Sequence, residues 1–99
     1  MNLKFSVQIH YPGRIGEIGS TIDEEVRKTG EAAGGRMSAR MHSWYPGHLY
    51  LEQLFDKLDT AIAFATRWDH LDGDRMIWAE VGVNGWRNVQ NALEAEPYV

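Results

Sequence analysis

Imidazole is the side chain that changes charge near neutral pH, and it is also a common metal ligand. The chemistry this chain could do is therefore sought first at His10, His42 and His48. General acid–base work needs an imidazole and a second titrating group converging on one pocket. Glu80 is the carboxylate whose place along the chain could bring it toward His10 or His42. A bound metal demands several ligands at once, yet neither H-x-H nor H-E-x-x-H spacing occurs. The expectation is no resident metal, no cofactor and no catalytic residue.

Other patterns that could do chemistry fall short on spacing. Gly13, Gly16 and Gly19 lie between a predicted strand and a predicted helix, but they match neither dinucleotide nor nucleotide phosphate-loop spacing. Glu17, Asp23 and Glu24 would also repel an anion there. The acidic run Asp69, Asp72 and Asp74 lacks the alternate oxygen ligands and terminal Glu of a calcium loop, and reads as a solvated turn. No serine or threonine sits in a G-x-S-x-G setting, and there is no cysteine to act as nucleophile, thiolate ligand or disulfide partner.

Composition narrows the partners. The chain has 99 residues, 43% hydrophobic and 24% charged, with a formal charge of -4. Those values suit a single domain, residues 1–99, with one core. Phosphate backbones are bound through neutralising cations, and no dense Lys/Arg cluster is present, so direct nucleic-acid binding is not expected. No apolar run reaches membrane-spanning or signal-peptide length, and a chain without cysteine fits a reducing, cytoplasmic setting. Four Trp, four Tyr and three Phe exceed what so small a core needs. Some must lie at the surface or at an interface.

The elements that must position these residues follow from hydrophobic periodicity. Leu3, Phe5, Val7, Ile9 and Tyr11 alternate with polar residues, predicting a half-buried strand ended by Pro12-Gly13. A helix follows with Ser20 as N-cap and Asp23 completing an acidic capping box; it stops at Gly34-Gly35, or earlier at Gly30. Residues 48–70 could form one long helix, but Pro46-Gly47 and a fresh capping signal at Asp56 and Asp59 favour a hairpin, 36–44 with 48–55, then a helix from Lys57 to about His70. A strand over 75–83 and a short closing helix through Trp86, Val89 and Leu93 complete the chain, although Asn84-Gly85 is also a hairpin signal.

The resulting fold class is α+β: a ferredoxin-like β-α-β-β-α-β order with a four-stranded antiparallel sheet, two helices on one face and a short C-terminal helix. RNA-recognition modules share that order, but their strand signature and positive charge are missing here. With Tyr45-Pro46-Gly47 as a three-residue loop, Arg40 faces Glu52, His42 faces Tyr50 and Trp44 faces His48. Met37, Ala39 and Met41 then join Leu49, Leu51 and Phe55 under the helices. The bare face is thus expected to present His10, Arg40, His42 and Trp44, with Tyr50, Glu52, Trp78 and Glu80, as a binding surface.

Those features lead to a small non-enzymatic protein-binding module that regulates or inhibits another protein. By size and charge alone it compares with acidic inhibitors of nucleic-acid-handling machines, anti-defence proteins included, whose targets offer a basic surface. The alternative is an enzyme or small-molecule-binding protein that is a homodimer of the α+β barrel type, in which facing sheets enclose a small molecule and His10, His42, Tyr50, Trp78 and Glu80 line the cavity.

Overall fold

The computed structural model describes residues 5–13, 21–69, 77–82 and 86–89. The elements are β1 (Phe5–Pro12), α1 (Thr21–Ala32), β2 (Arg36–His42), β3 (His48–Phe55), α2 (Leu58–Trp68), β4 (Trp78–Gly82) and β5 (Trp86–Asn88). Alternation along the strands sorts side chains to two faces. Val7, Ile9 and Tyr11 of β1, Leu49, Leu51 and Phe55 of β3, and Ala79 and Val81 of β4 are all buried on one of them. Each large aliphatic side chain taken out of water there contributes about 1.5–3 kcal/mol before entropy is counted.

Both helices cover that face. Helix α2 lies over β1 and β4, and α1 over β2 and β3. Ala61, Ile62, Phe64, Ala65 and Trp68 recur at helical spacing along the buried stripe of α2, and Phe64 meets Phe55 with ring centroids 5.3 Å apart. Trp68 donates its indole N–H to Thr29 Oγ1 at 3.0 Å, tying α2 to α1. Gly30 stays inside α1, because a Cβ there would meet the Gln53 side chain at 2.6 Å. The early stop that a mid-helix glycine suggested does not occur.

The sheet is antiparallel, in the order β2-β3-β1-β4-β5. The α+β class stands, with the hairpin in place of one long central helix. A fifth strand departs from the expected four-stranded ferredoxin-like sheet. Trp86, assigned from sequence to a closing helix, instead pairs with Gly82 in β5. Gly82 lets this happen: the Trp86 ring lies 3.3 Å from where a Cβ would stand. The remainder of the expected C-terminal helix, the Ser20 cap, Gly16 and Gly19, and the turn at Asp72 lie outside the described residues.

Register in the central hairpin differs by one residue from the sequence expectation. Arg40 pairs with Leu51, Met41 with Tyr50 and His42 with Leu49, and a bulge interrupts the ladder between Met37 and Ala39. The turn is the cause. His48 N–H donates to Tyr45 O at 3.2 Å, and Ser43 N–H to His48 O at 3.0 Å, so the loop has four residues rather than three. Pro46 and Gly47, with Gly47 at φ 79°, occupy the central positions of a type II turn, where proline and glycine belong. The slip exchanges faces. Arg40 and His42 turn toward the helices, and Met41 turns away from them.

The caps differ as well. Lys57 is the N-cap of α2 and makes no side-chain capping bond. Asp59 accepts from Thr60 N–H inside the first turn. Asp23, the acid of the expected capping box, is buried beneath α1 and holds Tyr11 and Arg40; its expected partner Ser20 lies outside the described residues.

Candidate functional site

The sheet face away from the helices is ordered in rows. Gln8 of β1 stands between Glu52 of β3 and Glu80 of β4, and in the next row His10 stands between Tyr50 and Trp78. One row carries carboxylates and its neighbour carries rings. Gln8 Nε2 donates to Glu52 Oε1 at 3.0 Å, and Ser38, from the β2 bulge, donates to Glu52 Oε2 at 2.8 Å.

The β2–β3 loop, residues 44–47, folds back with Ser43 over the ring row. Trp44 reaches across β1 to β4, where its Nε1–H donates to Glu80 Oε2 at 3.0 Å. Trp78 Nε1–H donates to the same oxygen at 3.1 Å. Tyr45 meets Trp44 edge-on at 6.0 Å and Trp78 edge-on at 5.7 Å, while His48 packs 5.2 Å from Trp78. Trp44 nonetheless remains 71% exposed. It is an outward ring held at its polar end.

His10 is sealed beneath this layer, at 0% exposure. Its ring stacks on Trp78 with Tyr50 and Trp44 around it. Nδ1 lies 2.7 Å from Ser43 Oγ, and that oxygen also accepts Tyr45 N–H at 3.1 Å. The Ser43 hydroxyl, with one proton and two lone pairs, thus bonds both the turn N–H and the imidazole. Nε2 lies 3.3 Å from Glu80 Oε2, a close contact without in-line hydrogen-bond alignment. Burial lowers the His10 pKa below its ordinary value; Glu80 pulls the other way, and His48 adds to the lowering.

Hydroxyl, imidazole and carboxylate thus line up from Ser43 through His10 to Glu80, the order found where a serine is activated as a nucleophile. Here the hydroxyl holds a turn and the imidazole is closed off by rings, so the Ser43–His10 bond, together with that from Trp44 to Glu80, fastens the loop to the sheet. Among the described residues no group of His, Cys, Asp and Glu is placed to hold a metal ion. An open cleft of about 550 Å³ lined by Lys28, Thr29, Ala32, Ala33 and Arg67 contains none of the binding residues expected from sequence.

Six of the eight predicted site residues share the open face: His10, Trp44, Tyr50, Glu52, Trp78 and Glu80. Arg40 does not. It makes a two-pronged pair with Asp23, Nε to Oδ1 and Nη2 to Oδ2, both at 2.8 Å, and Tyr11 donates to the same Oδ1 at 2.6 Å. A buried carboxylate needs such a partner, and the register slip puts Arg40 where it can serve. His42, opposite Leu49, leaves the face with it. Sequence reading missed Ser43, Tyr45 and Met41 as contributors. A serine two residues ahead of a turn N–H is the available signal for the first; Met41 depended on register.

Compared with known protein families, curated proteins and solved structures, the chain matches none.

Proposed function

We propose that this chain is a small non-enzymatic binding module that docks another protein through its open sheet face and so regulates or inhibits it. The observation that carries this reading is Trp44: 71% exposed, yet pinned through its indole nitrogen to Glu80. Exposed aromatics that are already ordered lose little entropy on binding and recur as energetic centres of interfaces. Met41, 55% exposed and opposite Tyr50, extends the apolar part of the surface. Sequestration of His10 argues against acid–base catalysis at the same place.

Two further readings belong to this proposal. The β-α-β-β-α-β alternation through β4 supports the ferredoxin-like assignment, with β5 as an addition to it. A chain without cysteine supports a cytoplasmic setting; no described helix is long and apolar enough to cross a membrane.

The test is affinity capture from the native source with the wild-type chain and with Trp44→Ala, alongside light scattering of the purified chain. A protein retained by the wild type and lost with Trp44→Ala supports the module. Equal retention by both, or a stable dimer that Trp44→Ala dissolves, overturns it; the dimer would favour facing sheets.

A further inference from the structure

Resting on that docking reading, we propose that the occupant of the open face is a cationic segment of the partner protein, an Arg- or Lys-bearing stretch laid over Glu52, Gln8 and Glu80 with one basic side chain against the exposed face of Trp44.

The argument starts from the carboxylate row. Gln8 is opposite Glu52 on one side and opposite Glu80 on the other. With neighbouring strands about 4.8 Å apart, the two acidic positions stand about 10 Å from each other. That separation is within the span of adjacent same-side residues of an extended peptide, about 7 Å apart, once long side chains splay.

The donors that hold these carboxylates are a glutamine amide, a serine hydroxyl and two indole N–H groups. Each is neutral, and His10 is held toward its neutral form by burial. Among the described residues no Lys or Arg forms an ion pair with Glu52 or Glu80. Arg40 is committed to Asp23 on the other face. Arg36 stands opposite Leu54 at the sheet edge and is not paired with Glu52. Among the described residues, therefore, no cation compensates the two carboxylates on a face whose most exposed ring is an indole, and the whole chain carries -4. An indole face is the aromatic surface that attracts guanidinium and ammonium groups most strongly. Charge complementarity selects a basic partner and suppresses acidic ones.

The experiment titrates octaarginine and octalysine, with octaglutamate as control, into the full chain at low and moderate salt. Trp fluorescence and amide NMR are the readouts. Glu52→Gln leaves the Trp44 and Trp78 contacts intact, and Glu80→Gln still offers an amide oxygen to both indoles, so circular dichroism should match wild type. Expected is saturable binding of both cationic peptides with shifts at Trp44 and around Gln8, weakened by salt, and about tenfold weaker in the Glu52→Gln/Glu80→Gln double variant. Equal binding by wild type and double variant would reduce it to unspecific charge attraction and overturn the proposal. So would absence of peptide binding while a native partner is still captured through Trp44, which leaves docking intact and removes only the cationic occupant. Failure of both peptide binding and Trp44-dependent capture removes the docking reading itself.

Discussion

The imidazole of His10 lies flat against the indole of Trp78, with ring planes 5° apart and centroids separated by 4.7 Å. That contact, closed from the sides by Tyr50 and Trp44, removes the imidazole from water. Water is what stabilises its charged form. The folded chain therefore prefers neutral His10, although Glu80 partly opposes this. The unfolded imidazole takes a proton near its ordinary value of 6.5. Stability is fully present above that pH and falls as the pH drops toward the lower folded value, by no more than about 1.4 kcal/mol per pH unit from this one group. Urea unfolding at pH 7.5, 6.5 and 5.5 should show a loss on acidification that is smaller in His10→Gln. An identical pH slope in the variant would exclude His10 as its source.

Glu80 Oε2 receives two indole protons, so its removal should be felt by both rings unequally. Trp78 remains stacked on His10 at 4.7 Å and packed against His48; Trp44, on the loop and 71% exposed, meets His10 only at 6.3 Å and tilted. In Glu80→Ala the Trp44 indole N–H should exchange faster with solvent and lose its distinct proton shift, while that of Trp78 moves less. The loss of a charge-assisted bond to each ring predicts about 1.5–3 kcal/mol lower stability. An unchanged Trp44 exchange rate would mean that the carboxylate does not hold the ring.

How far the sequence disclosed this arrangement depends on which rule governed each element. Period-two alternation placed Val7, Ile9, Leu49 and Leu51 inward and His10, Tyr50 and Glu52 outward, because alternation is a property of the strand alone. The pairing of β2 with β3 is not. It hung on whether Pro46-Gly47 closed a loop of three or four residues, and that one-residue difference moved Arg40 and His42 to the other face. Trp86 illustrates a second limit: Asn84-Gly85 and the spacing of Trp86 and Val89 pointed to different structures, and pairing with Gly82 decided for the strand. Asp23 illustrates a third. An acid early in a helix reads as a cap from sequence, and only the packing of Tyr11 and Arg40 against it reveals its buried role.

That buried group yields a stability prediction. Asp23 is 1% exposed and is the acceptor for both the Tyr11 phenol and the Arg40 guanidinium. Removing the carboxylate strands a largely buried positive charge. Asp23→Ala should destabilise the fold by about 3–5 kcal/mol, whereas Tyr11→Phe, which deletes one donor to the carboxylate, should cost about 1.5–3 kcal/mol. Denaturant midpoints compare the two, and similar losses would mean that Arg40 is not the dominant partner. Burial and the neighbouring carboxylate also push the Tyr11 phenol far above its usual range. Ultraviolet titration should accordingly leave one of the four tyrosines un-ionised at the pH where exposed ones have titrated.

Gly30 and Gln53 permit a sharper test, because helix propensity and packing predict opposite signs. In an open helix, Gly→Ala stabilises by about 1 kcal/mol. In α1 the added methyl would stand 2.6 Å from both Cδ and Nε2 of Gln53. Gln53 has no exposed surface, and its amide donates to Arg27 O at 3.3 Å, so it cannot swing aside without breaking that bond under α1. Overpacking of this kind costs about 1–3 kcal/mol. Gly30→Ala should therefore lower stability on balance, against its propensity. Gln53→Ala alone should also destabilise, by opening a space beneath the helix. In the double variant the methyl occupies part of that space and regains its propensity advantage, so the double should be more stable than the sum of the two losses by about 1–2 kcal/mol. Additive losses in urea unfolding would show that α1 and β3 adjust independently at this contact, and the account of why a glycine sits in mid-helix would fail.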